Sequence, residues 1–130
     1  MVIDVNHQNN EGKSALLSAT SNGDVAMIEL LHKFGGDVNL ANKYELSPLI
    51  AATVRNSVSV VDRLIELGAD IEFSPTRTAL FETCEDENHK VIQALLRAGA
   101  TISEETLAEV ASHNDSQYEE LLRATIKKRK

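Results

Sequence analysis

The sequence is poor in aromatic residues, in cysteine and in basic residues. Only 4% of its 130 residues are aromatic, so a core must be assembled from many small and medium aliphatic side chains, as is typical of closely stacked helices. The single cysteine, Cys84, excludes a disulfide within the chain. No apolar run reaches the ~18 to 20 residues of a membrane span, and residues 1–7 lack the features of a signal peptide. We therefore expect one domain in a reducing compartment, the cytoplasm, without a membrane partner.

The charge balance disfavours a nucleic-acid partner. The chain has 13 Lys and Arg against 20 Asp and Glu, and four of the 13 stand together at 127–130. Residues 1–126 therefore carry nine positive and 20 negative charges, a net charge of −11, whereas a phosphate backbone requires a face rich in Lys and Arg. The basic tail at 127–130 would suit a nuclear-import or anionic-surface contact. We favour the simpler interpretation, in which cations at a helix end complement its dipole.

The sequence repeats itself with a period of about 33 residues. Three segments end in an apolar stretch followed by a glycine, and Gly35, Gly68 and Gly99 are 33 and 31 residues apart. The openings recur at the same two spacings, and the residues that begin them are Ser14, Ser47 and Thr78. Two residues are therefore missing between 72 and 78, while residues 3–6 look like the end of a preceding unit. We assign units to 6–38, 39–71, 72–102 and 103–126, followed by the basic tail at 127–130.

Each unit predicts a helix, a tight turn, a second helix and an extended excursion. In unit two Ser47 precedes Pro48, the order of a hydroxyl N-cap and a proline at the first helical position. Apolar residues then recur at helical spacing in two runs separated by Asn56 and Ser57, and Gly68 ends the second helix in the left-handed conformation. Helices this short are marginal alone. We therefore expect stacking of at least three units to stabilise them.

These features resemble ankyrin repeats. The clearest match lies at residues 47–52, Ser-Pro-Leu-Ile-Ala-Ala, and 68–71, Gly-Ala-Asp-Ile, with weaker copies at 12–16 and 78–80. The resemblance covers about residues 3–126. It implies an all-α ankyrin-repeat solenoid, in which antiparallel helix pairs stack in an L shape and β-hairpin fingers project from one edge.

The chain departs from the family pattern at several positions. The histidine usual after the Thr-Pro-Leu triplet is replaced at Leu17, Ile50, Phe81 and Ala108, and we expect this to affect stability rather than function. The third finger is two residues short and is expected to be irregular. The fourth unit has no finger and is expected to act as a terminal capping repeat. Its predicted buried stripe consists of Leu107, Val110, Ala111, Leu121 and Leu122.

The sequence gives no support for catalysis, a metal or a cofactor. The four histidines lie on different elements and none has a partner four residues away on a helix, unlike a zinc site. Cys84 and His89 could form a nucleophile or half a metal site, but no third orienting group is fixed, and we favour a small buried thiol. No Gly-rich phosphate loop or nucleophile motif occurs. An acidic cluster consists of Glu82, Glu85, Asp86 and Glu87. Its charge would suit binding of a basic peptide, although we favour the interpretation that it is a solvated helix end.

The resemblance implies a binding surface made of finger tips and the exposed rim of each first helix. The repeat alignment places there Asn10, Glu11, Lys13, Ser21 and Asn22 from unit one, Lys43, Tyr44, Leu46, Val54 and Arg55 from unit two, and Arg77, Glu85 and Asp86 from unit three. We expect Tyr44, Arg55 and Arg77 to form its centre, because tyrosine and arginine dominate binding hot spots.

Tyr44 and Leu46 are the most informative residues of this surface. A finger tip is wet, so neither has a core to fill, whereas Phe34 and Phe81 fall at interior positions of the repeat. The resemblance also permits hydroxylation of Asn39 by an asparaginyl hydroxylase, because Leu31, eight residues earlier, fits the family's target pattern.

We therefore predict a monomeric, non-catalytic interaction module that binds a protein or peptide through the finger and first-helix surface. The alternative is a structural or regulatory segment of a longer ankyrin array, since the chain starts in the middle of a repeat. The open N-terminal end would then meet a neighbouring unit or make a homotypic contact. The residues predicted to be exposed there are Leu16, Leu17, Ile28 and Leu31.

Overall fold

Seven helices make up the described part of the chain. The computed structural model describes residues 4–72, 89–112 and 116–129, and these ranges contain no β-strand. The helices are α1 (Ala15–Ser21), α2 (Val25–Lys33), α3 (Pro48–Val54), α4 (Val58–Glu66), α5 (His89–Arg97), α6 (Glu104–Ser112) and α7 (Ser116–Arg129). The predicted all-α repeat is confirmed, and the predicted helix pairs of units one and two are α1 with α2 and α3 with α4.

Side-chain caps explain where the helices begin. The Ser14 hydroxyl accepts a hydrogen bond from the Leu17 amide and the Ser47 hydroxyl accepts one from the Ile50 amide, both at 3.2 Å. Each bond satisfies a backbone donor that the first turn of a helix leaves free. Pro48 occupies the first turn of α3. The predicted start of the first helix of unit two, at Pro48 after the Ser47 cap, is therefore confirmed.

The helices pack in antiparallel pairs and on helices of the neighbouring units. α1 contacts α2 and α3, α3 contacts α4, α4 contacts α5, and α6 contacts α7. The core between them is aliphatic, as the shortage of aromatics predicted. Its largest fully buried side chains are Leu16, Leu17, Ile28, Leu49, Ile50, Leu64, Ile92, Leu95, Leu122, Val60 and Val61.

The four residues predicted to be exposed at the N-terminal end of the stack are not exposed. Leu16, Leu17 and Ile28 are each at most 2% exposed, and Leu31 is half-buried. The first two lie on α1, which is enclosed by α2 and α3, and the other two lie on the side of α2 that packs on the core. Phe34, predicted to be interior, is 68% exposed.

The basic residues near the C-terminus continue the last helix. α7 runs through Lys127 and Lys128 to Arg129, beyond the predicted start of the basic tail. The Arg129 guanidinium donates to the carbonyl oxygens of Ala100 at 2.7 Å and Leu96 at 3.1 Å. These carbonyls lie at the C-terminal end of α5, so one tail cation fastens α7 to unit three.

The predicted stripe of the fourth unit is buried in part. Leu122 is fully buried, and Leu107 and Leu121 are half-buried against the core. Ala111 is exposed, so it does not belong to the stripe. The side chain of Val110, the remaining residue of the predicted stripe, lies outside the described part of the structure.

Candidate protein-binding surface

Two finger turns of the same construction precede α1 and α3. In the first finger, residues 8–13, the Asn9 carboxamide oxygen accepts hydrogen bonds from the amides of Glu11 at 3.0 Å and Lys13 at 2.9 Å. In the second finger, residues 41–46, Asn42 accepts equivalent bonds from Tyr44 at 2.9 Å and Leu46 at 3.0 Å. Backbone bonds from the amides of Asn9 and Asn42 to the carbonyls of Lys13 and Leu46, both at 3.1 Å, close the same turns, so side chain and backbone together shape each tip.

The two fingers are fastened to one another. The Lys43 amide donates to the Glu11 carbonyl at 3.0 Å, and the Gln8 side-chain amide donates to the carbonyls of Gly12 at 2.6 Å and Ala41 at 2.9 Å. Gly12 has a φ of +81°, and a Cβ on it would lie 2.7 Å from the Lys43 nitrogen. Only glycine lets the fingers approach this closely.

Five predicted binding residues lie on these joined tips, which we call the finger surface. It consists of Asn10, Glu11, Lys13, Lys43 and Tyr44, all of them exposed. Tyr44 is 60% exposed, and the Lys43 ammonium lies 5.1 Å from the centre of its ring. This distance suits a cation–π interaction, which orients the ring at the surface.

Leu46 does not belong to the finger surface. It is half-buried and packs against the aliphatic core, so the prediction that it has no core to fill was wrong. The Asn42 cap turns the chain at this point, because the bond to the Leu46 amide directs the end of the finger back towards α3. The repeat alignment predicts Leu46 at the solvent-exposed finger tip, whereas in the structure Tyr44, two residues earlier, occupies the tip.

Val54 and Arg55 lie at the far end of α3 from the fingers. α3 has seven residues, a length of roughly 10 Å. Val54 is 51% exposed, while the exposed Arg55 donates from its guanidinium to the carbonyl of Ser21 at the end of α1. Arg55 therefore joins units one and two as well as facing solvent, and Asn22 is exposed beside that junction.

Several predicted residues lie outside the described part of the chain. They are Arg77, Glu85 and Asp86 of the predicted surface, together with Glu82, Glu87 and Cys84. Their predicted roles stay predictions.

A series of side chains that join the start of each unit to its end was missed at the sequence level. The Asn6 oxygen accepts from the Asp37 amide at 2.7 Å, and the Asn39 oxygen accepts from the Asp70 amide at 2.6 Å. A Glu72 carboxylate oxygen continues the series by accepting from a backbone amide near the end of its own unit, at residue 101. We call these three bonds the unit latches. Their signal was present as the recurrence of Asp-Val-Asn at 4–6 and 37–39 and Asp-Ile-Glu at 70–72.

Asn39 therefore has a structural role in the fold. Its side chain is half-buried, and its oxygen holds the start of the next turn. Hydroxylation of Asn39 stays a prediction.

The outer layer of the stack carries an ion-pair cluster. The Arg63 guanidinium on α4 contacts the carboxylates of Glu29 on α2, at 2.6 Å, and Glu66 on its own helix. Hydrogen bonds to Glu66 and then to Glu29 raise the pKa of Arg63 above its usual value. Arg63 therefore stays charged at all physiological pH values and links α2 to α4 at the surface.

The described residues form no metal-binding group and no membrane-spanning helix. Across residues 4–72, 89–112 and 116–129, no three His, Cys, Asp or Glu side chains come together in a group able to hold a metal ion. Among the helices of the same ranges, none is both long and apolar enough to cross a membrane.

Short helix pairs that stack at a 33-residue period and carry fastened finger turns define a helical repeat protein. A family model described as ankyrin repeats, in three copies, matches residues 1–75. The chain belongs to the ankyrin repeat family, as the sequence predicted. Proteins of this family generally mediate protein–protein interaction and are typically not enzymes. A comparison with curated proteins gave no match.

Proposed function

We propose that this chain binds a partner protein through the finger surface and that it has no catalytic activity. The observation that carries the proposal is the exposed Tyr44 ring on two fingers that are hydrogen-bonded to one another. An aromatic ring with a polar edge gives a large contact area at a small cost in conformational entropy. A surface that is rigid before binding loses little further entropy on association.

The charges around Tyr44 favour a polar protein surface as the target. Lys13 and Lys43 provide cations, whereas Glu11 and Glu45 provide anions, and all four are exposed. Mixed charges of this kind set orientation and specificity more than affinity. With one cysteine in the chain, a reducing compartment is favoured, so the partner we propose is a cytoplasmic protein.

We also propose that the end of α3 provides a second, smaller contact. The exposed Val54 lies roughly 10 Å from the second finger along the helix axis. The Arg55 bond to the Ser21 carbonyl fixes this region relative to α1. A partner that spans both regions would contact units one and two at the same time.

The test is affinity capture of partners from cell extract with the wild-type chain and with Tyr44→Ala. We expect the variant to lose at least about 30-fold in affinity for the captured partner, the typical effect of a tyrosine hot spot. Its thermal unfolding should be unchanged, because the side chain is 60% exposed.

The matched control is Phe34→Ala, which removes an aromatic ring that is 68% exposed but lies at the C-cap of α2. We expect this variant to capture the same partner with wild-type affinity. Equal capture by Tyr44→Ala and the wild type would disprove the finger surface as the binding site. A loss of capture in both variants would show that exposed aromatic area in general, and not this surface, recognises the partner.

A further inference from the structure

A stripe of exposed apolar side chains runs along α2 and onto its C-cap residue, Phe34. Met27, Leu30 and Phe34 are 41%, 46% and 68% exposed. Their spacing of three and four residues places them on one face of the helix. Together they account for three of the five large apolar side chains that are most exposed in the described part of the chain. We call these three residues the α2 stripe.

Only some of the equivalent positions in the later units are buried. Met27 corresponds to Val60 of unit two, which is 1% exposed, and to Val91 of unit three, which is fully buried. Leu30 corresponds to the buried Ala94 in unit three but to Arg63 in unit two, whose side chain is 37% exposed. The α2 stripe is therefore an exposed apolar face that no described residue covers.

We propose that a second copy of this chain covers the α2 stripe, with the two α2 helices antiparallel across a twofold axis near Leu30. Met27 and Phe34 flank Leu30 on its two sides, so an antiparallel pair brings Met27 of one copy towards Phe34 of the other. No charged residue lies within the stripe. A twofold contact of this kind is the commonest form of homodimer because one patch complements itself.

The charges at the two ends of α2 favour the antiparallel arrangement. Asp24 caps the N-terminal end, whereas His32 and Lys33 lie in the last turn. Antiparallel pairing sets the acidic end of one helix beside the basic end of the other and opposes the two helix dipoles. A parallel pair would instead place like charges together.

The size of the stripe indicates a weak dimer. Its three side chains offer roughly 300 Å² per copy, well below the ~800 Å² per partner of a standard stable interface. We therefore expect dimerisation at protein concentrations of roughly 10 to 500 μM and a monomer below that range. The proposal does not depend on the finger surface, which lies on other residues.

The first test is sedimentation velocity of the 130-residue chain across this concentration range, with Leu30→Glu and Phe34→Glu as variants. We expect the wild type to move from monomer to dimer and both variants to stay monomeric with unchanged circular dichroism. The matched control is Val54→Glu, which places the same charge at an apolar side chain that is 51% exposed on α3; it should dimerise like the wild type. A wild-type monomer at every concentration, or a dimer that survives both stripe variants, would overturn the proposal.

The second test fixes the geometry by disulfide cross-linking in a Cys84→Ser background. Leu30→Cys places one thiol next to the twofold axis, and we expect a covalent dimer after mild oxidation. Val54→Cys in the same background should remain monomeric. Cross-linking of Val54→Cys with none of Leu30→Cys would show that the copies meet elsewhere and would overturn the α2 contact. Partner capture through Tyr44 is measured separately, so the failure of one proposal leaves the other unaffected.

Discussion

At the scale of single residues, equivalent positions in the two fingers share one backbone conformation although their side chains differ. Gly12 and Glu45 are 33 residues apart and occupy the same place in the two fingers, with φ values of +81° and +62°. Glycine adopts such a φ readily, whereas a residue with a Cβ is strained there. The second finger therefore stores strain that the first one avoids.

Replacing Glu45 by glycine should stabilise the chain. Relief of the left-handed strain outweighs the extra freedom of glycine in the unfolded chain, so we expect a gain of about 0.5 to 1 kcal/mol in the free energy of unfolding. Gly12→Ala is the opposite change at the equivalent site. A Cβ there would lie 2.7 Å from the Lys43 nitrogen, and we expect a loss of about 2 kcal/mol. Urea unfolding followed by circular dichroism measures both, and a stability loss in Glu45→Gly would contradict the account.

The two serines that begin the helices of unit two should differ in importance. Ser47 caps α3 through its hydroxyl and is 2% exposed, whereas Ser57 precedes α4 without a side-chain cap bond. We expect Ser47→Ala to cost about 1 kcal/mol and Ser57→Ala to cost less than about 0.5 kcal/mol. Equal losses in the free energy of unfolding, measured by heat or urea, would show that the cap hydrogen bond contributes no net stability.

At the scale of elements, the unit latches decide how helix pairs are held in sequence. Asn39 joins the turn that follows α2 to the turn that follows α4, since its oxygen accepts a hydrogen bond from the Asp70 amide at 2.6 Å. We expect Asn39→Ala to destabilise the chain by about 0.5 to 1.5 kcal/mol, the usual net value of one hydrogen bond, because the exposed Asp70 amide loses its acceptor. Asn39→Asp keeps an acceptor oxygen and should cost less. Urea unfolding of the two variants checks this. An Asn39→Ala variant as stable as the wild type would show that this hydrogen bond contributes no net stability.

The elements themselves could be predicted from the sequence, but their surroundings could not. Ser47, Pro48 and Gly68 are local signals, so the bounds of α3 and α4 followed from short-range chemistry. Burial of Phe34 depends on whether another unit covers α2, and helical periodicity carries no information about that. The burial of Leu46 depends on how the Asn42 cap turns the finger, which is set by hydrogen bonds rather than by spacing.

At the scale of the whole molecule, stability comes from interfaces between neighbouring units. Leu64 lies in the middle of the stack and is fully buried, while no single unit holds a core of its own. In such a quasi-one-dimensional array, each unit depends on its neighbours for burial. A change at an interior interface therefore weakens the units on both sides of it.

Two leucine-to-alanine variants test this position dependence. We expect Leu64→Ala to lower the free energy of unfolding by about 3 kcal/mol, since it leaves a cavity between packed helices. Leu30→Ala, on the 46% exposed α2 stripe, should cost less than about 0.5 kcal/mol when measured at low concentration, where the chain is monomeric. Similar losses in calorimetry or urea unfolding would mean that the two leucines are equally enclosed in solution.

The 33-residue spacing of the latches at Asn6 and Asn39 also determines which insertions the protein can accept. A duplicated segment of residues 39–71 would bring its own Asn39, its own Asp70 and its own hydroxyl cap, so every boundary would keep its bonds. Unit three keeps its own bond, from the amide of residue 101 to Glu72, although it is two residues shorter, so a unit of 31 residues is accepted as well. The molecule can therefore grow by whole units, as repeat genes do by duplication, while keeping its two ends unchanged.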